Sequence, residues 1–380
     1  MFKCIIGADI VPTESNIDLF INADINTLIG NDIKNILENA DFIIFNLEVP
    51  LTDKYMPIRK CGPNLIAPTK TIAGLKAINP HFFTLANNHI LDQGEQGLKS
   101  TIDLLDEHGI AFAGAGKDLE EASKPYIFEN EGKKIGIYCC AEHEFTIATE
   151  NTSGANPFDP LNSLDHVMEL KKQCDYVIVL YHGGKEHYRY PSPYLQKVCR
   201  KLVDKGADIV VCQHSHCIGC EEKWHGGTIV YGQGNFLFDD GDNEFWNTSV
   251  LLEVTIDKNL EVNYLPLCKK SNMIRLAEKA TAEDIGKQFV ERSNRIKSAK
   301  FVQDNYAKFA EAMSREYFFR VSGRISKFLP IRIINKLTNY RLLKYLYGQK
   351  EITVIENCLE CEAHRELFVQ FLQDCRKGRD

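Results

Sequence analysis

The chain has 380 residues, 44% of them hydrophobic, and a formal net charge of −7. That length exceeds one typical domain and that apolar share supports a proper core, while the mild acidity argues against a general nucleic-acid binder and leaves room for local basic patches. The odd total of 13 cysteines reads as reduced thiols rather than a disulfide framework, and neither a signal peptide nor a long apolar run is found, so a soluble, cytoplasmic protein is expected.

In chain order, short apolar runs alternate with helical patterns. Residues 3–9 (KCIIGAD) read as a strand, 24–40 as an amphipathic helix, 41–48 (DFIIFNLE) as a strand and 69–78 as a helix. Residues 81–87 read as a strand, 94–109 as a helix ending on glycine, and 126–140 as a hairpin turning at Asn130-Glu131-Gly132. Helix 162–174, strand 175–181, helix 192–206, and strands 208–212, 228–231, 248–256 and 260–266 follow. Strand–helix alternation with added strands predicts an α/β fold, its sheet mostly parallel with antiparallel additions.

The character changes after residue 267, so 1–267 is expected as one domain and 268–380 as a helical extension. Between Arg315 and Lys350 the bases Arg320, Arg324, Lys327, Arg332, Lys336, Arg341 and Lys344 interleave with Phe318, Phe328, Ile333, Leu337 and Tyr340, and Glu316 is the only acid. Such a segment can hold a polyanion or rest on an anionic membrane surface. The plainer alternative is a solvated face of tail helices.

Polar side chains collect where the strands end. Asp9 closes the first strand, Asn46 and Glu48 the second, and Asn87, Asn88, His89 and Asp92 follow the third. His182 follows a later strand, with Glu186 four residues on, and His214 and His216 follow the next. Open α/β sheets bind ligands outside the carboxyl ends of their strands. Carboxylates, an amide oxygen and imidazoles suit one or two divalent ions such as Zn, Mn or Fe. On an extended segment, His-x-His directs both imidazoles to one face, so His214 and His216 can reach neighbouring ions. Taken singly, each residue has a simpler use, as a turn former, a helix cap or a hydrogen-bonded histidine. Their joint placement at one sheet edge is what points to a metal centre.

These residues lie in motifs that resemble the poly-γ-glutamate capsule synthesis (CapA/PgsA-like) family, a branch of the calcineurin-like metallophosphoesterase superfamily. The carriers are GAD at 7–9, NLEVPLT at 46–52, ANNHILDQG at 86–94, HGGKEH at 182–187, HSH at 214–216 and YGQGNFLF at 231–238. The resemblance implies a four-layer αββα sandwich with a helical C-terminal extension. It implies metal ligation by Asp9, Glu48 (bridging), Asn88, His182, His214 and His216. It makes His89 the proton donor, and we expect Asp92 to orient it and Glu186 to support it or touch substrate.

The sequence also departs from the superfamily pattern. Val11 stands where a histidine is usual, Glu48 where an aspartate is usual, and QHSH replaces GHxH, which leaves the first metal position short of ligands. The family context points to a metal-dependent hydrolase or transferase with an anionic polymer or peptide-like substrate, and to no nucleic acid. Peptide epimerisation, a phosphatase and a non-catalytic, polymer-handling role touching membrane or capsule machinery through 315–350 are the competing readings. Two Cys-x-x-Cys pairs, Cys217/Cys220 and Cys358/Cys361, read as a structural zinc site or as ordinary thiols.

Overall fold

The computed structural model describes residues 1–239, 244–257, 259–270, 273–321 and 347–377, with the single positions 323, 330, 333 and 337. They divide into two compact units, Met1–Gln303 and Asp304–Asp380.

The described strands of the first unit are β1 (Phe2–Ile10), β2 (Phe42–Leu47), β3 (Phe82–Thr84), β4 (Ala111–Ala113), β5 (Ala115–Gly116), β6 (Tyr126–Asn130), β7 (Lys133–Ala141) and β8 (Gly154–Ala155). They continue as β9 (Tyr176–His182), β10 (Ile209–Gln213), β11 (Glu221–Trp224), β12 (Gly227–Tyr231), β13 (Asn235–Leu237), β14 (Thr248–Ile256), β15 (Leu260–Lys270) and β16 (Met273–Leu276). One sheet runs β16-β15-β14-β1-β2-β3-β4, with β13 also on β1, and the other runs β11-β12-β10-β9-β7-β6. In the first, β1 to β4 are parallel and β14 to β16 antiparallel additions. In the second, β7, β9, β10 and β12 are parallel between antiparallel edges β6 and β11.

Alternation along the second sheet builds the layers, because successive side chains point to opposite faces. Ile135, Ile137, Ile178, Leu180, Ile209 and Val211 join the large core shared with the first sheet. Their neighbours Tyr138, Val177, Val179, Val210 and Cys212 pack instead with Val167 and Leu170 of helix Ser163–Gln173 and with Leu195, Val198 and Leu202 of helix Pro193–Asp204. Helices Ile25–Glu38, Ile72–Ala77 and Gly94–Glu107 supply Leu28, Ile33, Leu75, Leu98 and Leu105 to the first sheet's cluster. The result is the αββα sandwich.

Local chemistry explains the boundaries. The hairpin turns on Glu131 and Gly132, both at positive φ (49° and 74°), as a two-residue turn that matches strand twist requires. Helix Ile25–Glu38 is broken at Gly30, whose φ is +72°. Beyond residue 267 the chain is not yet purely helical. β16 still pairs with β15, and helix Lys279–Arg295 lies in the first unit.

In the second unit, helices Gln349–Glu360 and Glu362–Lys377 expose Ile352, Leu359, Leu367, Phe368 and Phe371. No helix among the described residues is long and apolar enough to cross a membrane. Of the basic segment, Arg324, Lys327, Arg332, Lys336, Arg341 and Lys344 lie outside the described residues. All 13 cysteines are free, and no metal-competent group among the described residues includes one.

The two sheets are stitched together at an irregularity in β1. Its pairing with β2 shifts register between Ile6 and Asp9. Gln213 Nε2 donates to the Gly7 carbonyl (3.1 Å) and Gln233 Nε2 to that of Ile6 (2.9 Å). Bulges of this kind re-aim the side chain that follows, here Asp9. A Cβ on Gly7 would lie 2.0 Å from the ring of Phe45, which is fully buried. Gly7→Ala is therefore expected to destabilise the first unit by about 1–3 kcal/mol, read as a lower urea midpoint at unchanged slope.

Candidate metal centre

Register sets the centre. Asp9 lies opposite both Asn46 on β2 and Asn235 on β13, and His182 opposite Gln213 and Ala141 in the other sheet. Asp9 and Glu48 are fully buried, and His182, Asn88, His89, His214 and His216 nearly so. Buried amides hold this edge together. Asn46 Nδ2 donates to Asp9 Oδ1 (2.8 Å), and Asn87 Nδ2 donates to Asn46 Oδ1 (3.0 Å) and to the Leu47 carbonyl (2.9 Å). Asn87 Oδ1 in turn accepts the His89 N–H (3.1 Å).

His182 is the hub. Its Nε2 lies 3.0 Å from Asn88 Oδ1, 3.1 Å from His214 Nδ1 and 3.4 Å from Glu48 Oε1. His216 Nδ1 donates to Asn235 Oδ1 (2.8 Å) and stands 3.5 Å from Asp9 Oδ2. The His216 ring stacks on Trp246, whose Nε1 donates to His187.

The two histidines of the HSH motif do not reach the centre by strand alternation. They follow the end of β10, and both take left-handed backbone, with φ of 89° at His214 and 51° at His216. That conformation is costly for residues with a Cβ and collects at functional sites.

The donor set fits divalent cations. Glu48 Oε1, Glu48 Oε2 and Asp9 Oδ2 are buried with no hydrogen-bond partner, although a buried charge needs one. Two groups each bring their ligand atoms within 4.8 Å of one another: Asp9, Glu48 and His182, and Glu48, His214 and His216. Glu48 belongs to both, as a carboxylate between two ions would. Asn88 contributes its amide oxygen beside His182. Val11 is buried, and its backbone N–H donates to the Leu237 carbonyl.

Protons replace part of that charge in the metal-free chain. Burial raises the Asp9 carboxyl, and the neighbouring Glu48 charge raises it further. Burial would raise Glu48 too, but the charge of His182, 3.4 Å away, holds it below the usual carboxylate range. Burial opposes protonation of His182 and His216, yet Glu48 and Asp9 outweigh it and lift His216 to about 9. Burial and the other two imidazoles push His214 well down.

Beside this group, His89 Nδ1 donates to Asp92 Oδ2 (2.6 Å), which also accepts the Leu65 N–H (2.6 Å). Glu186 hydrogen-bonds none of the candidate ligands at the centre, although the charge of His216 reaches it. It is exposed and pairs with Lys185 (3.2 Å). Glu144 stands there instead, accepting from Asn88 Nδ2 (3.4 Å) with its other oxygen 4.0 Å from His214 Nε2. Glu142 accepts the Gly184 N–H (3.1 Å). Both glutamates follow β7, so the strand-end pattern that marks the other residues marks them too, once β7 is counted among the parallel strands and not only as a hairpin arm. Lys60, against Asp92 and Asn88, comes from an irregular stretch with no sequence signal.

Residues 6–240 match the family model of the bacterial capsule synthesis protein PGA_cap. The PGA biosynthesis protein CapA of Bacillus subtilis (strain 168) is 30% identical over 239 residues, covering 60% of each chain. The capsule biosynthesis protein CapA of Bacillus anthracis is 31% identical over 215 residues, covering 54% of this chain and 52% of its own. Among solved structures, a 5'-nucleotidase precursor from Thermus thermophilus aligns with 76% of this chain and 58% of its own, at 15% identity and a TM-score of 0.41. The chain belongs to the bacterial capsule synthesis protein PGA_cap family. It spans just over half the length of the two Bacillus relatives.

Metal uptake must displace the protons on His182 and His216. Affinity for Mn²⁺ or Zn²⁺ is expected to rise with pH between the ordinary imidazole value of 6.5 and about 9, with net proton release at pH 7. Calorimetry in buffers of different ionisation enthalpy reads both. Glu48→Gln is expected to weaken uptake at both positions, by more than the roughly 10- to 100-fold that losing a supporting hydrogen bond costs.

Proposed function

We propose that this chain is a divalent-metal-dependent hydrolase or transferase that acts on a poly-γ-glutamate-like, anionic cell-surface polymer or its peptide-like precursors. The observation that carries the reading is Glu48. It is fully buried, both its oxygens lack a hydrogen bond, and it is common to two ligand groups. A buried carboxylate with only a folding role would have its oxygens hydrogen-bonded.

Asp9, Glu48, Asn88, His182, His214 and His216 are the residues that hold the ions. When bound, one or two ions of the Mn, Zn or Fe kind polarise a substrate oxygen and make water nucleophilic near neutral pH. Glu144, bonded to Asn88 Nδ2, turns the amide oxygen of Asn88 toward His182. His89 gives a proton to the leaving group. Its Nδ1–H is committed to Asp92, so Nε2 is the nitrogen left to take up a proton and pass it to the leaving group. The acceptor is the departing oxygen of a phosphoester or the departing nitrogen of a γ-glutamyl amide. The names of the Bacillus relatives favour the second.

Two measurements test this. The Mn-loaded protein is offered phosphoesters and γ-glutamyl peptides, with mass spectrometry and chiral analysis of the products. Cleavage or transfer of the γ-glutamyl bond is expected. Inverted stereochemistry without cleavage would make the centre an epimerase, and turnover of phosphoesters alone a phosphatase. No product from any of them would remove the enzymatic reading. His89→Ala is expected to lower kcat by roughly 10²- to 10⁴-fold while metal content stays at the wild-type level.

A further inference from the structure

We propose that Lys60 is a positioning residue of this site. It fixes Asp92, and through Asp92 the Nδ1–H tautomer of His89, so it rests on the reading of His89 as proton donor.

Lys60 occupies an unusual place. It sits in the stretch Met56-Pro-Ile-Arg-Lys-Cys61, and both Arg59 and Cys61 are exposed. Yet its own side chain is 2% exposed. A long cationic side chain in a surface segment ordinarily keeps its head in water. Withdrawing an ammonium from water is unfavourable unless it gains a counter-charge and hydrogen bonds. Lys60 has both. Its Nζ donates to Asp92 Oδ1 (2.5 Å) and to the Asn88 carbonyl (3.2 Å).

The partners are what give the placement a function. Asp92 is fully buried, and its two oxygens are divided. Oδ1 serves Lys60, while Oδ2 accepts from His89 Nδ1 and from the Leu65 N–H. With Oδ1 pinned, the carboxylate cannot rotate away from the imidazole. Lys60 Nζ also lies 3.2 Å from His89 Nδ1. An ammonium accepts nothing, and an Nδ1 that donates to Asp92 accepts nothing either. That contact is therefore an enforced approach and not a bond.

The competing explanation is that Lys60 merely anchors its loop. The loop is already anchored without it. Met56 N–H donates to Gln93 Oε1, Ile58 N–H to the Asp92 carbonyl, and Gln93 Nε2 to the Leu65 carbonyl. Those bonds need no buried charge. A second partner of Lys60, the Asn88 carbonyl, belongs to a residue whose amide oxygen faces His182, so one ammonium touches both the ligand loop and the His89–Asp92 pair.

The test uses the full chain, loaded with zinc and labelled with ¹⁵N-histidine. In the wild type, His89 is expected to show one Nδ1–H tautomer. Lys60→Met is expected to give a mixed or exchanging signal. On the most active probe from the phosphoester and γ-glutamyl panel, it is expected to lose roughly 10- to 100-fold in kcat, with KM and metal content retained. Lys60→Arg is expected to recover part of the loss, and ethylammonium part of the activity of Lys60→Ala. Lys54→Ala, in the same loop but exposed, is the unaffected control. A Lys60→Met protein with wild-type kcat and an unchanged tautomer would overturn the proposal. If Lys60→Met does not fold, a folded Lys60→Ala that ethylammonium leaves unchanged in both readouts does the same. If the wild type turns over no probe, the enzymatic reading fails and the ¹⁵N signature alone decides for or against Lys60.

Discussion

Two carboxylates buried side by side set the terms for the rest of the molecule. Asp9 and Glu48 are fully excluded from water at adjoining strand ends, and three of their four oxygens lack a hydrogen bond. Like charges so placed repel, and neither can be hydrated. The surroundings answer that problem in layers. The Asn46–Asn87 relay satisfies the one remaining oxygen and spaces the strand ends. Three imidazoles close over the pair from the other sheet, and two of them are driven toward the protonated form by it. Protons are a partial answer only, since His214 is driven the other way. Cations, on the proposed reading, would complete the balance.

Backbone irregularity is the means by which regular sheets deliver such a site. The register shift before Asp9, held by Gln213 and Gln233 from across the interface, turns a strand residue into a ligand. Left-handed backbone at His214 and His216 does the same for the loop after β10. Conformations of this kind cost on the order of 1–3 kcal/mol each and persist where the surrounding structure insists on them. Arg292 shows that insistence, its Nε donating to the Gly219 carbonyl just beyond the HSH motif.

Much of this was legible in the sequence because strand ends announce themselves. An apolar run that stops on Asp9, Glu48, His182 or His214 gives both the element and its polar terminus, and the sheets bring those termini together. Three things were not legible. The route by which the two imidazoles of the HSH motif converge depends on φ angles that the pattern His-x-His does not encode. Glu144 was hidden because β7 reads as half of a local hairpin, although it pairs in parallel with β9. Lys60 was hidden because its stretch has no period, and a lone lysine there reads as solvated. Glu186 had the spacing of a site residue but is exposed and bound to Lys185, while the next residue, His187, is held by its N–H on the Ser215 carbonyl. The short run Met273–Leu276, separated from β15 by Ser271 and Asn272, gave too little alternation to be read as a strand.

The proposed ligands divide evenly along the chain. Asp9, Glu48 and Asn88 belong to the first sheet and its loops, while His182, His214 and His216 belong to the second. An ion at the centre would therefore bridge two halves whose proposed ligands are more than ninety residues apart in sequence, taking Asn88 and His182 as the nearest pair. Linkage makes the relation reciprocal: whatever loosens the apposition of the sheets weakens ion binding by the same free energy. During synthesis from the N-terminus, Asp9, Glu48 and Asn88 emerge before the three imidazoles proposed to ligate beside them. On the proposed reading the ligand set is complete only once His216 has emerged, and an ion held there would tie a carboxylate sheet made early to an imidazole sheet made late.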